Sequence, residues 1–292
     1  MKPRDHQRIT RRAIEIFTAW RNDSFSRLLL QHQEEIVEGS KDADTRPLHV
    51  RSTNWHFYKA NDALRPIETH LLWVPITVYP TSDHILRLRI EALRKECAKG
   101  VSDDLFNLVG RILHHTQDMS TPAHVVPVYH GMDILNLVPD ALNVRDSFEE
   151  YSERHSVSEL ATLNIGAEDF AALTTDPPHL LDNYNQAAQR TLHLLFNEPA
   201  MRFTAHVNGQ LQQLDWSIFW QPWDAQLEDE ASRHGFGQYG PLGPHFGETE
   251  VNCNGTHYQL AREIQVALHR KLLGKMLADS ARALARVQCM LD

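Results

Sequence analysis

Apolar residues recur at intervals of three and four from Ile9 to Trp20. This spacing places them on one face and predicts an amphipathic helix over residues 6–20, with His6 near the inward edge of that face. The same signal, together with capping residues and helix-breaking prolines, predicts further helices. These cover residues 24–38, 83–99, about 105 to Pro122, 145–163, 180–197 and 257–291.

Convincing alternation of apolar and polar residues, which would indicate strands, is scarce, and the chain contains no internal repeat. Residues 205–258 are rich in Gly, Pro, Trp and His, which predicts a long irregular excursion at the surface. The pattern therefore predicts one all-α domain over residues 1–292.

Composition narrows the function classes. Hydrophobic residues make up 42% and charged residues 23%, as in an ordinary globular protein. The net charge is −9 and no long Lys/Arg run occurs, which argues against nucleic acid as a partner. The sequence has neither a transmembrane segment nor the apolar core of a signal peptide, so localisation stays open between the cytoplasm and a non-classical export route.

The chain has 18 histidines but only three cysteines, and no CxxC pair. Neither a disulfide framework nor a thiolate zinc site is indicated. Any metal ion would be held by nitrogen and oxygen. His114 and Asp118, four residues apart on a predicted helix, share one face and could bind one ion. Pro122 ends that helix and lets His124 return towards the pair, although the spacing alone is also typical of a capping or salt-bridge pair.

The segment GRILHHTQDMSTPAH closely resembles the signature G-x-x-x-H-x-x-x-D-x-x-x-P-x-H of zinc-dependent bacterial phospholipases C. Its five fixed positions are Gly110, His114, Asp118, Pro122 and His124. Three other segments are similar to the family in the same order: the one that begins at His6, the NWHFY segment around His56 and, more weakly, the DSFEEY segment with Glu149. The resemblance covers roughly residues 6–151.

The resemblance implies an all-α zinc hydrolase with two or three Zn²⁺ ions. It implies these ligands: His56, His114 and Asp118 for one ion, His124 and Glu149 for a second, and His6 with Asp118 as a bridge for a third. Asp44, or else Asp42, falls where the family has an acidic candidate general base. His115 is expected to point away from the metals.

The implied reaction is attack on phosphorus by a water molecule that the metals activate. The substrate would be a phospholipid or another phosphodiester, reached by transient contact with a membrane surface. A phospholipid would yield diacylglycerol and a phosphorylated headgroup.

The chain departs from the family at Arg145, which stands where the family has a ligand histidine. Arginine cannot ligate zinc because it stays protonated. His130 is the predicted replacement, with His155 and Asp146 behind it, although His130 could equally be a surface-loop residue. In secreted family members the processed amino terminus completes the third site, and no signal peptide is visible here.

Two other functions remain open. The first is a single-strand nuclease or phosphatase of the same fold, but the glycine-rich GGN stretch typical of that group does not follow His130. The second is a catalytically inactive, zinc-stabilised binding protein. Hydrolysis of a chromogenic phosphodiester, lost on chelation, would distinguish an enzyme from a binding protein.

Overall fold

The computed structural model describes residues 2–42, 56–58, 67–71, 74–78, 81–128, 146–222 and 237–292. The helices within these residues are α1 (Pro3–Trp20), α2 (Ser24–Gln31), α3 (Gln33–Asp42), α4 (Ser82–Cys97), α5 (Asp103–Asp118), α6 (Pro122–Val125), α7 (Ser147–Leu160), α8 (Ala167–Thr174), α9 (Leu180–Phe196) and α10 (Arg262–Leu291). Among them, none combines the length and the apolar character that crossing a bilayer requires.

Strands are also present, and all their pairings are antiparallel. They are β1 (Ile67–Leu71), β2 (Val74–Val78), β3 (Phe203–Val207), β4 (Gln210–Leu214), β5 (Trp220–Gln221), β6 (Gln238–Tyr239), β7 (Glu250–Cys253) and β8 (Thr256–Gln259). The largest sheet has the order β4-β3-β8-β7, while β1 pairs with β2 and β5 with β6. In the larger sheet Phe203 faces Leu214 and Val251 faces Tyr258.

The prediction of an all-α fold is therefore wrong: the protein is rich in helix but contains this four-stranded sheet. Two Asn-Gly turns form the hairpins of this sheet. Asn208 and Gly209 have φ angles of 50° and 79° and join β3 to β4, and Asn254 and Gly255 repeat this geometry between β7 and β8. Asn-Gly is a strong hairpin signal because both residues tolerate positive φ. The strands are short and their alternation is weak, so apolar periodicity alone missed them.

The prediction that residues 205–258 form an irregular surface excursion is also wrong for the part that the structure describes. Trp216, Phe219, Trp220 and Phe246 from this segment are almost completely buried. Phe148 of α7 lies 5.9 Å from Trp220 and 5.2 Å from Phe246, measured between ring centroids. The segment therefore contributes to the core, and its aromatic side chains pack against the helix that carries Glu149.

Helix α5 lies at the centre of the helical part. Its residues from Ile112 to Asp118 are all buried, and it packs against α1, α3, α4, α9 and α10. Two glycines allow α3 and α5 to approach closely: a Cβ atom at Gly39 would lie 2.1 Å from the Asn107 carbonyl oxygen, and one at Gly110 would lie 2.0 Å from that of Ile36. This contact brings the end of α3 beside His114.

Three helix boundaries differ from those predicted. The helix expected over residues 24–38 is interrupted at His32, so that α2 and α3 are separate. The last helix begins at Arg262, because residues 256–259 form β8 instead. Helix α5 ends at Asp118, and Pro122 opens the short helix α6 rather than ending α5 directly.

Candidate metal centre

Six predicted ligands lie together although they come from five separate places in the chain. His6 lies on α1, His56 lies in a turn ahead of α4, and His114 and Asp118 lie in the last turns of α5. The other two are His124 on α6 and Glu149 in the first turn of α7. The central part of the cluster is buried, since His6, His114 and Asp118 have no exposed surface.

Asp118 lies between three of the histidines, and its two oxygens face different rings. Oδ2 lies 2.8 Å from His56 Nδ1 and 3.1 Å from His114 Nε2. Oδ1 lies 3.2 Å from His6 Nε2. This arrangement allows Asp118 to bind a separate ion through each oxygen, because carboxylate oxygen and imidazole nitrogen are both zinc ligands.

A backbone carbonyl orients the ring of His114. Nδ1 of His114 lies 2.8 Å from the carbonyl oxygen of Ser40 at the end of α3. A carbonyl can only accept, so Nδ1 carries a hydrogen and donates it. In the neutral ring Nε2 therefore presents a lone pair, and it lies 3.1 Å from both His56 Nδ1 and Asp118 Oδ2. Metal-binding histidines commonly donate their other ring N–H in this way.

The same arrangement recurs at His124. Its Nδ1 donates to the carbonyl oxygen of His56 across 3.3 Å, and its Nε2 lies 3.1 Å from Glu149 Oε1. Two backbone hydrogen bonds hold the residues that follow His56. Tyr58 N donates to the carbonyl oxygen of His124, and Ser82 N donates to that of Phe57. The turn after α5, with Pro122 at the start of α6, brings His124 back to the cluster.

Asp146, an alternative ligand in the sequence prediction, positions Glu149 instead. One of its oxygens accepts a hydrogen bond from Glu149 N and caps α7, while the other lies 3.3 Å from Trp220 Nε1 and 3.0 Å from the Tyr239 hydroxyl. Burial, together with the charge of Asp146, raises the pKa of Tyr239 well above its ordinary value, so its hydroxyl stays a donor. The D-x-x-E spacing is a helix-start signal that could have identified this role from the sequence.

Asp118 is ionised although it is completely buried. Burial by itself raises the pKa of Asp118, but positive charge on the adjacent His114, His124 and His6 outweighs that effect and holds the pKa well below its ordinary value. Without a cation, His114 must either direct a lone pair at this carboxylate or become a buried imidazolium. A positive ion between the two groups removes both costs, so the geometry suits a cation.

The distances also suit a small metal ion. Ligand atoms about 2.0–2.1 Å from a tetrahedral ion lie roughly 3.3 Å from one another. The nitrogen–oxygen and nitrogen–nitrogen distances around Asp118 are 2.8–3.2 Å. Two groups of side chains could hold a metal ion here and share Asp118: His6 with His114, and His56 with His124.

His115 lies at the rim of this cluster. Its Nδ1 is 2.9 Å from the hydroxyl of Ser82, and its ring centroid is 5.8 Å from that of His114. Burial, followed by the charge of Arg89, holds the pKa of His115 well below its ordinary value, so its ring is neutral. His155 was also predicted as an alternative ligand. Its ring centroid lies 4.2 Å from that of Tyr151.

Some predicted site residues lie outside the part of the chain that the structure describes. They are Asp44, the candidate general base, His130, the predicted replacement ligand, and Arg145, which stands where the family has a ligand histidine. Asp42 is the last residue of α3. The roles assigned to these residues stay predictions.

Comparisons with protein-family models, with curated proteins and with solved structures gave no significant match to this chain. The resemblance to zinc-dependent phospholipases C therefore stays a prediction from four short segments. What the structure adds is independent of any relative: a buried group of histidines and carboxylates that could bind metal ions.

Proposed function

We propose that this protein is a zinc-dependent phosphodiester hydrolase of the phospholipase C type. The observation that carries the proposal is the convergence of His6, His56, His114, His124, Asp118 and Glu149 in one cluster. The resemblance selected these residues from segments spread over more than 140 positions, without any information about their distances.

The donor set favours zinc over harder ions. Imidazole nitrogen suits zinc, whereas magnesium and calcium prefer sites made entirely of oxygen. Bound zinc lowers the pKa of water to about 7 and neutralises charge on phosphoryl oxygens. The chain itself supplies the orientation: the carbonyl oxygens of Ser40 and His56 direct the Nε2 atoms of His114 and His124 towards the carboxylates. Burial keeps bulk water away from these ligands.

A phospholipid is the substrate class that the resemblance favours, and the net charge of −9 agrees with a substrate other than nucleic acid. With a glycerophospholipid, water would attack phosphorus, and diacylglycerol would leave with its oxygen protonated. The other product would be the phosphorylated headgroup, and no covalent enzyme intermediate is required.

The test compares Asp118→Asn with Asp104→Asn. Asp104 is an exposed aspartate in the first turn of the same helix. Zinc per chain is measured by elemental analysis, and hydrolysis is followed by release of phosphocholine from phosphatidylcholine vesicles and of nitrophenol from a chromogenic phosphodiester. Asp118→Asn should lose zinc and activity, because it removes a ligand that faces three histidines. Asp104→Asn should match the wild-type protein.

Wild-type zinc content and activity in Asp118→Asn would contradict the proposal. Zinc binding without turnover of any phosphodiester would instead indicate the inactive binding protein. Cleavage of single-stranded DNA without attack on lipid would indicate the nuclease.

Asp44→Asn tests the predicted general base separately from the metal ligands. Zinc content should not change, while turnover should fall roughly 10²–10⁴-fold if this carboxylate accepts the proton from water. The measurement is kcat with the chromogenic substrate at saturating zinc. Turnover within a few-fold of the wild-type value would mean that water is activated without Asp44.

A further inference from the structure

Gln117 of α5 contacts His6 and Thr10 of α1 and Ser280 of α10 inside the core. It is completely buried, and its Oε1 lies 2.9 Å from His6 Nδ1. Its Nε2 lies 3.0 Å from the Thr10 hydroxyl on α1 and 3.2 Å from the Ser280 hydroxyl on α10. Both hydroxyl-bearing residues are completely buried as well. Gln117 lies between two positions of the signature and is not one of its fixed residues.

The structure places the carboxamide with its NH₂ group towards two hydroxyls and its oxygen towards His6. Its NH₂ group has two hydrogens, and two hydroxyl oxygens lie within hydrogen-bonding distance of that nitrogen. With the NH₂ group directed at these hydroxyls, the carboxamide oxygen faces His6. An amide oxygen can only accept, so Nδ1 of His6 must carry the hydrogen. The other ring nitrogen, Nε2, then presents its lone pair towards Asp118 Oδ1 at 3.2 Å.

We propose that Gln117 is a positioning residue that holds His6 in the Nδ1–H tautomer and so prepares Nε2 to bind a metal ion together with Asp118. The inference rests on the zinc site of the proposed function but not on its hydrolytic activity. Gln117 does for His6 what the Ser40 carbonyl does for His114. It differs in being a side chain that is itself held by α1 and α10, so the packing of these helices determines how His6 is oriented.

The test compares Gln117→Glu with Gln117→Met. A glutamate still accepts a hydrogen bond from His6 Nδ1, whereas methionine removes that acceptor at similar volume. Both variants lose the two N–H donors to Thr10 and Ser280, so a purely structural role predicts the same result for both. Zinc per chain is measured after dialysis against a zinc buffer, and thermal unfolding of the metal-free proteins controls for stability.

Gln117→Glu should keep the zinc content of the wild-type protein. Gln117→Met should lose about one ion per chain, or bind that ion about 10- to 100-fold more weakly, as is typical when a group that orients a metal-binding histidine is removed. Zinc content and zinc affinity in Gln117→Met that both equal those of the wild-type protein would overturn the proposal. An equal loss in both variants would also overturn it.

A second measurement needs no variant at Gln117. Long-range ¹H–¹⁵N spectra of the zinc-loaded wild-type protein, assigned with the help of His6→Ala, report which nitrogen of His6 carries hydrogen. We expect hydrogen on Nδ1, and hydrogen on Nε2 would contradict the inference. Zinc binding with this tautomer but without phosphodiester hydrolysis would leave the inference standing and remove the proposed function. A wild-type protein that binds no zinc would contradict both.

Discussion

Three histidines of the candidate metal centre are oriented by the group that contacts their second ring nitrogen. His114 and His124 donate to backbone carbonyl oxygens, and His6 lies against the side chain of Gln117. These contacts restrict both the ring rotation and the tautomer before any metal ion is bound. A ligand prepared in this way loses less conformational freedom on binding, which favours affinity.

A prediction at the residue scale concerns Arg145, which stands where zinc-dependent phospholipases C have a ligand histidine. If His130 supplies the vacant ligand, His130→Ala should lower zinc by about one ion per chain, since a site has only three or four protein ligands. Arg145→His should then change little, because the site is already filled. Elemental analysis of both variants measures this.

The opposite pattern would show that the site lacks its ligand. His130→Ala would then be silent, and Arg145→His would raise both zinc content and turnover. A third pattern is a raised KM with unchanged zinc in Arg145→His. That result would mean that Arg145 binds the substrate phosphate through its guanidinium group.

At the scale of helices and strands, the close contact of α3 with α5 supports the metal centre. Gly110 lies one turn before His114, and the carbonyl that orients His114 belongs to Ser40 of the opposite helix. The backbone distance between the two helices therefore determines where the Ser40 carbonyl lies. Position 110 requires glycine, because even the methyl group of an alanine there would overlap the backbone of α3.

Gly110→Ala should therefore destabilise the protein and weaken zinc binding. The free energy of unfolding should fall by about 1–3 kcal/mol or more, since the new methyl group must push two helices apart. Gly274→Ala is the matched control, because a Cβ atom at that position in α10 would meet no described residue within 4 Å, apart from its chain neighbours and the backbone of its own helix. The control should be neutral or stabilise by about 0.5–1 kcal/mol.

Denaturant unfolding of the metal-free proteins and zinc titration measure the two effects. If both glycine variants are equally stable, the close approach of α3 and α5 is not a real constraint. A destabilised Gly110→Ala protein with unchanged zinc affinity would mean that the Ser40 carbonyl is not needed to orient His114.

For the molecule as a whole, the candidate metal centre lies where several separate parts meet. Helices α1, α5, α6 and α7 supply ligands, and residues around Trp220 and Tyr239 hold the start of α7 through Asp146. An ion bound there links parts of the chain that are far apart in sequence. Metal binding should therefore stabilise the folded state as a whole, because the unfolded chain has no preformed site.

Removal of zinc should accordingly lower the thermal stability. At free zinc a hundred-fold above the Kd, each bound ion contributes about 2.7 kcal/mol, which corresponds to roughly 4–5 °C in Tm for a chain of this size. Calorimetry with zinc and with a chelator measures the difference. Magnesium should not replace zinc, and Asp118→Asn should show almost no shift. A Tm that is the same with zinc and with chelator would argue against a metal ion at this site.

The sequence by itself determined most of the helices, and its resemblance to the phospholipase C signature selected six candidate ligands that the structure brings together. Helix formation depends on neighbours within four residues, so apolar spacing was enough to locate α1, α4, α5 and α9. The same local rule placed His114 and Asp118 on one face. The Asn-Gly pairs at 208–209 and 254–255 also marked hairpins in the sequence, although the prediction of an all-α fold passed over them.

Only the tertiary structure decided how distant segments meet. The pairing of β3 with β8 joins residues about 50 positions apart, and no local pattern in the sequence predicts it. The orientation of His6 by Gln117, of His114 by the Ser40 carbonyl and of Glu149 by Asp146 likewise arises from packing between elements. Candidate ligands can be read from local residue types, whereas the directions of their lone pairs depend on contacts made across the folded chain.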